Sequence, residues 1–369
     1  MGDRNPRARL EEIPSGPKPI EAVGTSVAAF VGLAQGGPLA PSYVDSWRSY
    51  TQQWSGRSPL GDAVEEFFRN GGSLAWVAPV ESLEPEPVRR AVEGLDRDVT
   101  LVAVVADPAA PPAVIGAAAD ALADRRAMLL VEGAWPDARS AIEAMSTDRV
   151  AAIGGTGPNV AAYWPRVRRP VGRGAMEDIS PLGAVAGIFA RTDATLGVFN
   201  APAGTQAVLN DVTETTATAS RSEQDALNRL GVNVIRDFPG TGTVIWGSRT
   251  QSTESEWRYV TVRRTALFLE ESLSRGLQWV VFEPNAEPLW QSVRLSIEQF
   301  LHKLFQDGAF AGRKLEDSYF VKCDASTMTQ HDIDNGRLVC VVGFAPARPA
   351  EFVTFRFGRW TRDADDDPE

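Results

Sequence analysis

The residues best suited to catalysis or metal binding are scarce in this chain. Its 369 residues include only two histidines, His302 and His331, and two cysteines, Cys323 and Cys340. A structural zinc site takes three or four ligands, usually arranged in pairs two to four residues apart, and no two of these four are that close. A Ser-His-Asp triad would have to use one of the two histidines, yet no G-x-S-x-G elbow presents a serine. The run Gly154-Gly155-Thr156-Gly157 follows an apolar stretch at 150–153 that reads as a strand, which raises a dinucleotide loop as a reading. The G-x-G-x-x-G fingerprint started at Gly155 requires glycine at position 160, where Val160 stands, and there is no GK[ST] phosphate loop. A plain loop is the better reading. His302 reads as a solvated helix residue and His331 as a loop residue. The acidic end, Asp363, Asp365, Asp366, Asp367 and Glu369, reads as a solvated tail. No catalytic, cofactor-binding or metal-ligating residue is assigned, and no cofactor is expected.

Composition narrows the classes further. A net charge of -11 without a basic stripe argues against a nucleic-acid partner. No run of eighteen apolar residues is present to span a bilayer, and the opening MGDRNPRARLEE lacks the apolar stretch of a secretory signal. Both cysteines lie in strand-like runs and read as small hydrophobes in a reducing compartment. The expectation is a protein made in the cytoplasm with no membrane insertion.

The elements follow from periodicity and breakers. A strand is expected over 26–33, a helix over 62–70 stopped by Gly71-Gly72, and a strand in which Leu74, Trp76, Ala78 and Val80 share a face. Strands over 99–106, 127–131 and 150–153 alternate with helices over 113–126 and 138–145. Such alternation predicts an α/β layer with mostly parallel strands. Residues 154–220 are rich in Gly, Pro, Thr and Ala, with one helix expected after Ser180-Pro181. Two strands, 232–235 and 244–246, flank Asp237-Phe238-Pro239-Gly240-Thr241-Gly242 and predict a tight turn. Next come a helix over 265–275 and a strand over 279–282. A long helix then starts near Pro288, with Trp290, Val293, Ile297, Phe300, Leu301, Leu304 and Phe305 on one stripe. Strands over 319–323, 338–344 and 352–360 complete the chain, the second of them introduced by an Asn335-Gly336 turn.

Several stretches carry a family resemblance. Glu11-Glu12-Ile13-Pro14-Ser15-Gly16 precedes Gly24-Thr25-Ser26-Val27-Ala28-Ala29-Phe30-Val31-Gly32. VNVIRDFPGTGTVIWGSRT runs over 232–250, and Gln278-Trp279-Val280-Val281-Phe282-Glu283-Pro284-Asn285 precedes Glu287-Pro288-Leu289-Trp290. Asp332-Ile333-Asp334-Asn335-Gly336-Arg337-Leu338 and Pro346-Ala347-Arg348-Pro349-Ala350-Glu351-Phe352 follow in order. This series resembles contractile tail sheath proteins of phage tails and related injection systems.

The resemblance implies an α/β middle domain that is subtilisin-like in fold without being a protease, followed by an α+β C-terminal sheath domain. It divides the chain into an N-terminal arm (1–22), the middle domain (23–240), a tube-facing domain (241–350) and a C-terminal arm with an acidic tail (351–369). The arms, through Leu10, Glu11, Glu12, Ile13, Phe352, Val353, Phe355 and Phe357, would add strands to neighbouring subunits. The implied partners are further copies stacked as hexameric rings, an inner tube protein, and baseplate and cap proteins. Candidate tube contacts are Arg294 and Lys303 on the long helix, with Arg263 and Arg264 as a second group. Contraction of such a lattice would drive the tube through a target envelope, with no enzymatic step. Two other readings stay open: a specialised ring subunit of the baseplate or cap, and a soluble α/β enzyme.

Overall fold

The computed structural model describes residues 18–55, 57–172, 174–349 and 351. The first expected strand forms as β1 (Ala28–Gly32), with every residue buried. The edge strand β2 (Ser42–Val44) leads to α1 (Trp47–Gln53) and α2 (Pro59–Arg69). Ser46 and Ser58 cap these helices by accepting from the amides of Ser49 and Gly61, and Pro59 opens α2 where no amide partner is needed. Then β3 (Ala75–Pro79), α3 (Pro85–Glu93), β4 (Leu101–Val105), α4 (Pro112–Ala121), β5 (Met128–Glu132) and α5 (Ala138–Thr147) continue the alternation.

The first departure from expectation comes at 150–153, which is not a strand but helix α6 (Arg149–Ile153). Asp148 decides it: its carboxylate accepts from the amides of Val150 and Ala151, satisfying the first turn. Gly154 ends the helix at φ +78°, where a Cβ would lie 1.9 Å from the Pro112 carbonyl. The Gly154–Gly157 run therefore follows a helix, and the strand comes after it as β6 (Val160–Trp164). The chain continues through β7 (Val167–Pro170), β8 (Met176–Ile179), α7 (Leu182–Leu196), β9 (Glu214–Thr215) and α8 (Arg221–Arg229). The turn expected at 237–242 joins β10 (Val232–Phe238) to β11 (Gly242–Trp246), paired from Val234–Trp246 to Phe238–Gly242.

Eight strands form one sheet in the order β11-β10-β6-β5-β4-β1-β3-β2, while β8-β7-β9 form a smaller antiparallel one. The six inner strands of the large sheet are parallel, and β2 and β11 are antiparallel at its edges. Parallel strands covered on both faces read as continuous apolar runs, and every residue of β4 and β5 is buried. Ala28, Phe30, Leu101, Ala103, Met128 and Leu130 pack with Phe67 of α2 and Phe189 of α7. Their neighbours Ala29, Val31, Val102, Val104, Leu129 and Val131 pack with Val92, Ala118, Met145 and Leu227 from α3, α4, α5 and α8. The division drawn at 240/241 falls within the β10–β11 turn, so β11 lies in the large sheet.

A third core lies beyond the sheet. It gathers Phe268 and Leu269 of α9 (Val260–Gly276) with Val293, Ile297, Phe300, Leu301 and Leu304 of α10 (Glu287–Gln306). Packed on it are β12 (Tyr319–Lys322) and, after α11 (Gln330–Asp334), β13 (Val341–Phe344). His331 therefore lies in a short helix rather than a loop. The strand expected over 279–282 is a 3-10 turn, Gln278–Val280. Helical bonding simply runs on, from the Leu277 amide to Leu273 and from Val280 to Leu277. An α/β middle part is what the alternation predicted, and an α+β C-terminal part is what the family resemblance implied.

Candidate assembly site

The arm residues Leu10, Glu11, Glu12, Ile13, Phe352, Val353, Phe355 and Phe357 lie outside the described residues, and so does the strand expected over 352–360. What the structure describes is how residues 18–23 and Glu351, next to these segments, are held. On the N-terminal side, the Lys18 ammonium sits 4.3 Å from the centre of the Trp279 ring. Ile20 is buried in the third core against Gly276, where a Cβ would meet it at 2.7 Å. The Val23 amide donates to Ser272 Oγ at 3.2 Å. Residues 18–23 are thus laid along the C-terminal half of α9.

The next contact fastens the two parts of the molecule together. Arg264 on α9 donates from both terminal nitrogens to Asp193 on α7, at 2.7 and 2.6 Å. It also donates to the Thr25 carbonyl at 2.7 Å, while the Thr25 hydroxyl donates to Asp193 at 2.6 Å. Both charged side chains are only 4% exposed, and the guanidinium lies 4.9 Å from the Phe189 ring centre. A bidentate, fully partnered pair of this kind is a geometric lock. Arg264 consequently has no surface to offer a tube, which corrects its place among the candidate contacts. It and Arg263 are neighbours on a helix, about 100° apart, so one faces inward.

Arg263 is half-buried, with its guanidinium 4.9 Å from the Trp257 ring centre and Nε donating to Asn159 at 2.6 Å. Burial pulls its pKa below the usual arginine range, opposed by Glu270. The other two candidates lie on opposite flanks of the buried stripe of α10, about 180° apart around its axis. Arg294 is partly exposed with Glu298 one turn along at 3.8 Å, and Lys303 is exposed in the last turn.

On the C-terminal side, Arg249 donates to the two carboxylate oxygens of Glu351 at 2.8 and 2.5 Å, and Tyr259 Oη donates to the same carboxylate at 3.3 Å. The chain thus enters residues 352–369 from a clamped position. Beside it, β12 and β13 make a two-stranded antiparallel sheet from Tyr319–Phe344 to Lys322–Val341. Among the described residues both outer edges of this sheet are unpaired, and Phe320 and Val341 are exposed on it. Two strands alone are marginal in water. This pair is held by packing on α10 and has capacity for more strands. Cys323 is buried and Cys340 half-buried, both as free thiols, and Cys323 together with burial pushes the Cys340 thiol up.

In open α/β sheets, ligands bind beyond the carboxyl ends of the strands. Here that end carries an ion cluster. Arg166, after β6, lies 3.1 Å from Glu132 at the end of β5 and 2.5 Å from Asp107 beyond β4. Burial pushes the Glu132 carboxyl up, and Arg166 opposes it. A second cluster was invisible in the sequence. Buried Arg169 on β7 is paired with Asp62, Glu65 and Glu66 of α2, and Glu177 of β8 lies 3.7 Å away. Burial pushes Glu66 up to about 6, with Arg169 acting against it. Beside this cluster opens a cavity of about 620 Å³, walled by the stacked rings of Trp47, Tyr50 and Trp54. Partners more than 100 residues apart leave no local signal of these contacts. Among the described residues, no group of three or more His, Cys, Asp or Glu side chains is placed to hold a metal ion, and no helix is long and apolar enough to cross a membrane.

Comparison with known proteins agrees with this geometry. Residues 118–251 match the phage tail sheath protein central domain, and 252–358 match the phage tail sheath C-terminal domain. The fold is similar to the helical sheath of the anti-feeding prophage in its contracted state: 33% identity, TM-score 0.79, covering 97% of this chain and 99% of that one. A chain of the baseplate of the same particle matches with 31% identity and TM-score 0.78, covering 98% and 100%. The tail sheath protein of Vibrio phage KVP40 is 27% identical over 185 residues, which is 50% of this chain and only 27% of that protein. With two sheath-domain models covering most of its length, in order, the chain belongs to the phage tail sheath protein family.

Proposed function

We propose that this chain is the structural subunit of a contractile sheath, polymerising around an inner tube and contracting to drive it through a target envelope. The observation that carries this reading is the two-stranded β12–β13 sheet, open on both edges among the described residues, on a molecule whose two terminal segments are each fastened at the root. An arm laid on a neighbour's open edge makes main-chain hydrogen bonds worth about 1 kcal/mol each, and alternate side chains set the register. In this reading Leu10, Glu11, Glu12 and Ile13 supply one added strand and Phe352, Val353, Phe355 and Phe357 the other. Because donor and acceptor surfaces differ, the contact is head-to-tail and propagates as a filament of stacked rings.

The inner tube meets the polar side of α10, with Arg294 and Lys303 as the cations at its two flanks. Baseplate and cap proteins bind the two ends of the stack. The division between outer and tube-facing parts, read at 240/241, is supported by two family models that meet close by, at 251/252. The chain does mechanical rather than catalytic work, and assembly takes place in the cytoplasm. The test is negative-stain electron microscopy of the purified protein. Hollow tubes are expected, and deletion of residues 1–22 abolishes them. A second reading, a ring subunit confined to the baseplate, is favoured by the baseplate chain that this fold matches over its full length. Discrete rings without tubes would select it, and a monodisperse monomer would remove both.

A further inference from the structure

The segment Val281-Phe282-Glu283 is unlike the rest of the surface. Phe282 is fully exposed at 102%, Val281 is 62% exposed, and Phe282 holds φ at +74°. A bulky residue rarely adopts a left-handed backbone, and strain of this kind persists where the surroundings over-determine it. The surroundings here are rigid on both sides. The Gln278–Val280 turn precedes it, and the amides of Val281 and Glu283 donate to Gln278 and Val280. After it, Asn285 accepts from Trp290 Nε1 at 2.7 Å and donates to the Arg337 carbonyl at 3.2 Å. A preorganised aromatic knob is the form a binding anchor takes, because its ordering cost is met before the partner arrives.

The same molecule carries a matching recess. A groove of about 600 Å³ is lined by Trp257, Val262, Phe344, Ala345 and Pro346, with Glu256 and Arg348 at its margins. Val262 lies in the first turn of α9, whereas the knob projects beyond its C-terminal end at Gly276. Fourteen residues of helix separate the two by about 21 Å, so a subunit cannot fill its own groove with its own knob. The flanking charges are complementary. Glu283 stands beside Phe282, and Arg337, its backbone bonded to Asn285 and its exposed guanidinium 3.2 Å from Asp332, stands nearby, while the groove offers Arg348 and Glu256.

We propose that Val281-Phe282 of one copy docks in the Trp257–Pro346 groove of the next, with Glu283 meeting Arg348 and Arg337 meeting Glu256. The contact rests on the sheath reading for its biological setting but is separate from strand addition. Being head-to-tail, it propagates along the same assembly.

The test places a photoreactive benzoyl-phenylalanine at position 282 of the full chain, irradiates it at the highest soluble concentration, and maps adducts by mass spectrometry. Intermolecular adducts on residues 256–262 or 344–348 are expected. Phe282→Asp and Ala345→Trp should each raise the concentration needed for assembly about tenfold, as for loss of an interfacial anchor. Neither should shift thermal melting by more than about a degree, since both alter accessible positions. No adduct, or adducts confined to α10, to residues 352–369 or to a different protein, overturns the proposal. Tubes that form without groove adducts refute the knob contact and leave the sheath reading standing. Groove adducts without tubes support the contact and count against a main sheath subunit.

Discussion

Replacing Arg264 by methionine separates a structural pin from a surface contact. The arginine and Asp193 are each 4% exposed and joined by two charge-assisted bonds, with Thr25 bonded to both. Removing the cation leaves a buried carboxylate whose only remaining bond from this set is the Thr25 hydroxyl. Breaking such a pair costs about 3–5 kcal/mol. At roughly 2.1 cal/mol/K per residue, the 369-residue chain has an unfolding entropy of about 0.8 kcal/mol/K, so the melting temperature should fall by ~4–6 °C. Asp193→Asn should cost a similar amount. The double variant Arg264→Met with Asp193→Leu should recover most of the loss, since an apolar pair of similar volume often matches a buried ion pair. Differential scanning calorimetry of the four proteins reads this directly. An Arg264→Met protein that melts within a degree of the wild type yet fails to assemble would refute the argument and return Arg264 to the surface.

Other outcomes follow from the remaining contacts. Glu66 has its pKa raised from 4.5 to about 6, so its contribution is fully present below about pH 4.5 and is lost as pH rises through 6. Glu66→Gln should therefore gain ~2 kcal/mol relative to wild type between pH 4.5 and 7, from 1.36 kcal/mol per pKa unit. Urea titrations at both pH values check this, and a difference that stays flat across the window contradicts it. At Gly183 an added Cβ would lie 2.2 Å from the Ala63 carbonyl oxygen and 2.7 Å from its Cα. Gly183→Ala should force α2 and α7 apart at a cost of about 1–3 kcal/mol or more, read as a lowered melting temperature. Arg249→Ala releases Glu351, from which the proposed C-terminal arm starts. It should raise the assembly concentration about tenfold, and unchanged assembly would show that the clamp does not aim the arm.

Local chemistry made much of this molecule legible from the sequence. The apolar strands at 28–32, 101–105 and 128–132, the stripe along α10 and the Pro-Gly turn between β10 and β11 are set by periodicity and breakers acting over a few residues. The family followed from motifs in order along the chain. Where the reading failed, short apolar runs were ambiguous. At 150–153 a capping aspartate turned the run into a helix, and at 279–282 helical bonding ran on from α9. Only the tertiary structure brought Arg264 to Asp193, Arg169 to three carboxylates of α2, and Arg249 to Glu351, across 71 to 107 residues of chain. Only it left Phe282 in solvent. A charge on a helix carries no sign in the sequence of which way it faces; that is decided by which surface the neighbouring elements bury.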